Sequence, residues 1–443
     1  MSVALNDPLD AFVIQHARPI HSRGDYSDLL ERAGKAQLVL LGESTHGTRE
    51  FYRERAIITR SLIQDHGFRA VAVEADWPDA YRVDRFVRGL GDDRSATQCL
   101  GDFQRFPTWM WRNAEVRDFV DWLREYNREQ PHPAHFFGLD LYSMYTSIDA
   151  IVGYLERVDP AAAREARERY ACFDLFVRDG DAYARGTASG RLSCEQEVTL
   201  QLETLKQHAV TLHKRLGALP EDQFSAEQNA LLVKNAEHYY RSMLGGRIST
   251  WNLRDQHMFE TLSAIVSFLQ RGGVANKAVI WAHNSHLGDA RATDMARVGE
   301  LNLGQLAREH FPGQTFSVGF TTYSGSVTAA ANWDEQAARL VLQPALPDSY
   351  EARFHELNLR HFFLPLAEAT GHIGRSRIER AIGVVYRPRS ERISHYFEAD
   401  LARQFDALVH IDTTSALEPL GASQPLVTSD PPATYPFADD AGV

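Results

Sequence analysis

Two short stretches hold the residue types with which a hydrolytic reaction is run. Gly42-Glu43-Ser44-Thr45-His46-Gly47 and Ala282-His283-Asn284-Ser285-His286 share one shape: an apolar run ends, a polar group follows, and a histidine stands three residues later. A neutral imidazole takes a proton from water near neutral pH, and a carboxylate bonded to its other nitrogen fixes the tautomer and supports the cation formed. Glu43 and His46 bring an acid and an imidazole together, while Glu74 and Asp140 end two further apolar runs with acids. Arg55 and Arg254 add guanidinium groups able to hold a carboxylate or a substrate oxygen. Plainer readings exist for each residue: a helix cap at Thr45 or Thr48, a polar loop histidine, a surface ion pair at Arg55. Their concentration at separate strand ends favours a site made of His46, His283, His286, Glu43, Glu74 and Arg254.

Water activated by a histidine is the chemistry this set suits best, and two variants compete with it. Ser44 and Ser285 each stand close before a histidine, yet neither lies in a Gly-x-Ser-x-Gly elbow. A divalent metal is the other variant, held if present by His46, His283, His286 and Glu74, although no His-Glu-x-x-His spacing occurs. No cofactor is required by the activated-water reading. Neither a phosphate-binding Gly-x-x-x-x-Gly-Lys loop nor a Gly-x-Gly-x-x-Gly turn follows any strand, which removes support for nucleotide chemistry.

The elements that position these residues are legible from apolar patterning. Leu38–Leu41 is continuous and apolar, as in a strand buried on both faces. A helix follows to His66, with Gly67 as its C-cap. A second strand, 69–73, leads into Glu74, and a third, 134–139, leads into Asp140. If consecutive strands are neighbours, Glu74 reaches the crevice that holds His46. From 155 to 271 long amphipathic stretches replace strands, which predicts antiparallel helices walling the cleft. A fourth strand, 277–282, precedes His283, and further strands are expected within 315–329 and at 361–364, 382–386 and 407–411. The fold class is α/β, a mostly parallel central sheet flanked by helices with a large helical insertion over the cleft. Residues 1–154 and 272–414 form the two parts of the core, 155–271 the insertion and 415–443 a mobile tail.

Composition narrows the partners. With 59 acidic against 47 basic residues the formal charge is −12, and no basic patch offsets that field, so a nucleic acid partner is not expected. The three cysteines, Cys99, Cys172 and Cys194, have no metal spacing and suit free thiols in a reducing cytoplasm. No apolar stretch approaches the ~18 residues of a membrane helix, and the first residues do not read as a secretion signal. A small molecule is the expected partner, in the cytoplasm.

Taken together these residues resemble the erythromycin esterase family, with its erythromycin esterase-like and succinoglycan-biosynthesis-like hydrolases. The likeness is carried by Leu41-Gly42-Glu43-Ser44-Thr45-His46-Gly47, Glu74-Ala75-Asp76-Trp77, Trp251-Asn252-Leu253-Arg254-Asp255 and Trp281-Ala282-His283-Asn284-Ser285-His286, and it spans roughly residues 15–415. It implies a carboxylic ester hydrolase that is metal-independent or variably metal-sensitive. The best-known members open macrolide lactones and act in antibiotic resistance; many relatives look like hydrolases of other esters. It further implies His46 as general base with Glu74 as its partner, and Glu43, Arg55, Arg254, His283 and His286 as the polar shell. Residues that choose the substrate do not carry over. A wider kinship implies the alternative, a non-enzymatic haem- or metal-binding protein that uses the same histidines as ligands.

Overall fold

Apolar runs too continuous to face water on either side become central strands, and this chain supplies several in succession. A computed structural model describes residues 7–421 apart from 177–178, 192, 217–219, 272, 274, 370, 372 and 374–375. Its strands in chain order are β1 Arg18–Pro19, β2 Leu38–Leu41, β3 Ala70–Asp76, β4 His135–Asp140, β5 Ala278–Trp281, β6 Thr315–Thr321, β7 Ser324–Ala329, β8 Ala338–Leu342, β9 His361–Pro365, β10 Arg377–Arg380, β11 Tyr396–Ala399, β12 Ala407–Ile411 and β13 Thr413–Thr414. Eight of them form the main sheet in the order β1-β9-β12-β6-β2-β5-β3-β4. From β12 to β4 every pairing is parallel; β9 runs antiparallel to β12, and β1 to β9. The sheet is therefore mixed α/β and mostly parallel, as the sequence predicts.

Successive side chains along a strand point to opposite faces, and each face has its own core. Val39, Leu41, Val71, Val73, Phe136, Val279 and Trp281 pack with residues of the Arg49–His66 and Ala114–Asn127 helices. Leu38, Leu40, Ala70, Ala72, Phe137, Leu139 and Ile280 pack on the other face with Met144–Val158, Pro220–Ser242 and Arg247–Arg271. The helical stretch thus covers one face of the sheet. Parallel strands put all their carboxyl ends on one edge, which collects the loops after β2, β5, β3 and β4.

Several expectations need correcting. β5 lies between β2 and β3, so those two consecutive strands are not neighbours. The segment 382–386 forms only isolated bridges, Thr45 to Ile382 and Ala330 to Val385; Gly383 and the pull of two separate partners keep it from a continuous ladder. Cys172 and Cys194, read as free thiols, are joined in a disulfide with Cα atoms 5.9 Å apart, because the helix from Glu195 folds back on the Ala171–Phe176 turn. Cys99 remains free and buried. Residues 415–421, read as the start of a mobile tail, are fastened: Ser415 donates from its amide and hydroxyl to Glu50 (2.8 and 2.6 Å), and the Leu417 amide donates to the Gly47 carbonyl (2.9 Å). The rest of that tail, 422–443, lies outside the described residues. Among the described residues no helix is long and apolar enough to cross a membrane.

Candidate active site

The loop leaving β2 is held by backbone bonds that only small residues permit. The Gly42 amide donates to the Val318 carbonyl (2.8 Å), and a Cβ at Gly42 would run into Asn284 Oδ1. Across this contact the Asn284 amide donates to the Glu43 carbonyl (2.8 Å), so the two histidine loops are stitched to each other. Rings of His46 and His283 end up with centroids 5.0 Å apart.

Each ring's tautomer follows from its Nδ1 partner. A carboxylate only accepts, so the 2.9 Å contact of His46 Nδ1 with Glu43 Oε1 places the proton on Nδ1 and leaves a lone pair on Nε2. Arg55 Nη2 donates to the other Glu43 oxygen (2.7 Å), and its guanidinium stacks over Tyr52 and Trp281, at 4.4 and 5.2 Å from the ring centres. His283 is the reverse case. The Ser285 amide donates to His283 Nδ1 (3.2 Å), and Ser285 Oγ lies 2.8 Å from the same atom. Its proton therefore sits on Nε2, which is buried without a hydrogen bond of ordinary geometry, although the Ser44 carbonyl stands nearby. Burial, with the neighbouring His46 and His286, holds the His283 pKa well below the ordinary imidazole value, so this ring stays neutral.

Glu74 enters from β3 at a register irregularity between Val73 and Asp76. Its Oε2 accepts from the His283 amide (2.8 Å) and its Oε1 from Arg254 Nη2 (2.7 Å). Burial opposes a charge here, yet His286, His46 and Arg254 outweigh it and hold the carboxyl far below its usual range. Glu74 Oε1 is 4.0 Å from His46 Nε2. The carboxylate bonded to the His46 ring is thus Glu43, while Glu74, the partner implied by resemblance, faces Nε2 from 4.0 Å.

Arg254 is already engaged. Its Nε and Nη2 donate to Asp140 (3.0 and 2.6 Å), its Nη2 also to Glu74, and its Nη1 is 3.2 Å from His286 Nε2. His286 Nδ1 donates to Asp255 (2.9 Å), and Trp251 stacks on the ring at 4.5 Å. Burial and Arg254 disfavour a charged His286, but two carboxylates, Asp255 and Glu74, outweigh them and raise its pKa.

Five of the seven predicted site residues, His46, Glu74, Arg254, His283 and His286, line one cleft of ≈ 340 Å³, with Glu43 and Arg55 behind His46. The 155–271 stretch, expected to wall this cleft, contributes Arg254 to its lining. The remaining walls come from 294–300, Trp333 and 381–397, because the helices spend their apolar surface on the sheet face. Sequence reasoning left out Asp255, Trp251 and Asn284, although all three stand inside the motifs quoted, and noted Asp140 only as a strand-end acid. Their signal was position beside a named residue. Among the described residues no three His, Cys, Asp or Glu side chains are placed to hold a metal ion, since Arg254 and the backbone occupy Glu74, and Asp255 occupies His286.

Comparison with known proteins gives one family. The family model for erythromycin esterase matches residues 63–414. Erythromycin esterase type II of Escherichia coli is 21% identical over 447 residues, covering 92% of this chain and 96% of its own. Among solved structures, a succinoglycan biosynthesis protein superposes with a TM-score of 0.73 at 19% identity, covering 94% of this chain and 100% of its own. A point mutant of the erythromycin esterase EreC in its open conformation gives 0.65 at 16%, covering 89% and 95%. At these identities the structures speak for the fold.

Proposed function

Since the chain belongs to the erythromycin esterase family, we propose that it hydrolyses a carboxylic ester or lactone with water activated by His46. The observation that carries this reading is the opposed tautomers of two adjacent rings, a base at His46 Nε2 and a neutral donor at His283 Nε2. The 4.0 Å between His46 Nε2 and Glu74 Oε1 suits one water held by both. His46 takes a proton from that water as its oxygen bonds to the carbonyl carbon. The charge developing on the carbonyl oxygen meets the His283 N–H once this buried donor turns from the nearby Ser44 carbonyl to the cleft. Collapse of the tetrahedral intermediate breaks the bond to the leaving oxygen, and the His46 imidazolium returns the proton to it. Glu43 supports that imidazolium throughout, with Arg55 fixing Glu43. Arg254 spends Nε and Nη2 on Asp140 and Glu74 and so holds the acids in place, while its Nη1, beside His286, faces the cleft.

A volume of ≈ 340 Å³ stands at the lower end of the range for small-molecule sites. A macrolactone would extend past the rim, where Val298 and Ile393 expose apolar surface. Ser285, 2.8 Å from an imidazole, keeps a serine route as the second reading. The test is a panel of esters and lactones, macrolides included, assayed with and without a chelator. Hydrolysis that persists with chelator, without a burst of released alcohol, supports activated water; an acylated Ser285 overturns it.

A further inference from the structure

Asn284 joins more of the site than any other uncharged residue, and the group behind it is a buried acid. Its amide Nδ2 donates to the Phe320 carbonyl and to Glu379 Oε1 (both 3.0 Å), while its Oδ1 accepts from the Phe320 amide (3.3 Å). Together with its backbone bond to Glu43, this side chain ties both histidine loops to β6 and to β10. Glu379 is fully buried, and among the described residues no cationic side chain is hydrogen-bonded to it. Arg380, next in the strand, instead spends its guanidinium on Tyr396, the Tyr323 and Gln343 carbonyls and Glu391. The carboxyl's surroundings are acidic or neutral: Glu351 and Tyr350 from the Tyr350–Glu356 helix, Asn284, and Gln404 from Leu401–Gln404. Glu379 Oε2 is buried without a hydrogen bond of ordinary geometry, although the Gln404 amide stands nearby. A proton on Glu379 removes an uncompensated charge from the interior.

We propose that Glu379 is a positioning residue that works as the neutral acid, holding Asn284, and through it both histidine loops, against the hairpin that carries the cleft wall. That wall includes Tyr396 and Phe397 of β11, paired with β10 at Arg380 and Glu379. Burial and then the Glu351 charge push the Glu379 carboxyl up to about 8, in agreement with that state. The sign follows. A carboxyl whose folded pKa is raised binds its proton more tightly when folded, so its contribution to stability is full below the unfolded value near 4.5 and is lost as pH rises through about 8. Ionisation there sets two buried carboxylates against each other beside the catalytic loops.

The inference rests on the hydrolase reading for its kinetic arm alone. Glu379→Gln keeps the shape of the neutral acid. It retains kcat on a simple ester at neutral pH and loses the alkaline decline of the wild type, whereas Glu379→Ala lowers kcat ~10–100-fold with KM little changed. In the full-length protein the melting temperature of Glu379→Gln gains on the wild type between about pH 5 and about pH 8. An infrared band of a protonated buried carboxyl, present in the wild type and absent in Glu379→Gln, identifies the proton even if no ester is turned over. An unchanged infrared spectrum with parallel stability curves overturns the proposal, as does a Glu379→Gln enzyme as weak as Glu379→Ala. Absence of ester hydrolysis with the band present overturns only the hydrolase reading.

Discussion

In the loop after β2 the His46 ring donates a hydrogen bond from Nδ1 to Glu43, three residues back; in the loop after β5 the His283 ring accepts one at Nδ1 from the Ser285 amide, two residues on. The two segments look like copies in sequence, and His283 occupies the place of Glu43. The equivalent of His46 is His286, whose Nδ1 turns to Asp255 on a different element. A shared pattern of polar residues therefore says where imidazoles will stand but not which of their nitrogens will be basic. That is decided by the first acceptor or donor each Nδ1 meets. An acid inside the loop makes a base, and a backbone N–H makes a donor.

Breaking the base half should have the largest effect. His46→Asn is expected to lose ~10⁴-fold in kcat while melting near the wild type, measured by steady-state kinetics beside a thermal scan. Glu43→Gln should come close, at ~10³–10⁴-fold. Arg55 keeps the amide oxygen on its side, so the NH₂ faces His46 Nδ1, flips the tautomer and blocks Nε2; a fall of less than tenfold would show that Glu43 does not set the ring. Breaking the donor half by His283→Phe should cost ~10²–10³-fold, mainly in kcat, as expected for charge met only in the transition state. Since His283 stays neutral, the acid limb of the kcat profile should be the same in His283→Gln as in wild type. The smallest effect sharpens the comparison: Ser285→Ala removes one contact to Nδ1 but leaves the backbone N–H that fixes the tautomer, so it should cost under ~10-fold. An inactive Ser285→Ala would favour the serine route.

How far the site was legible depended on whether partners lay in the same stretch. Strand-end placement of His46, Glu74 and His283 follows from short apolar runs closed by polar residues, and the parallel sheet follows from their continuity. Which acid, Glu43 or Glu74, bonds to the His46 ring was hidden because it turns on an atom, Nδ1 or Nε2, and sequence names only residues. Asp255 was hidden for another reason: next to Arg254 on a helix, it points away from it, toward His286 of another loop. The cleft walls at 294–300 and 381–397 are a 3₁₀ turn, a bridged segment, one helical turn and the start of β11, pieces too short to show a period that marks a cleft. The Cys172–Cys194 bridge closes a 22-residue separation that fits no motif.

The position of β5 has a consequence for how the protein comes into being. Gln37 and Asn276, bonded at 3.2 Å where β2 and β5 begin, are 239 positions apart in the chain. Until residues 278–281 arrive, β2 and β3 each keep an unpaired edge toward the gap that β5 will fill. During synthesis the first 154 residues therefore wait with these edges open, and with the other edge of β2 open until β6 is made, and closing so long a loop makes this a slow step exposed to aggregation. A chain cut after residue 154 should precipitate or bind chaperones and not fold as a smaller unit. The strand that fills the gap also delivers His283, so no chain ending before that residue is able to carry the paired rings.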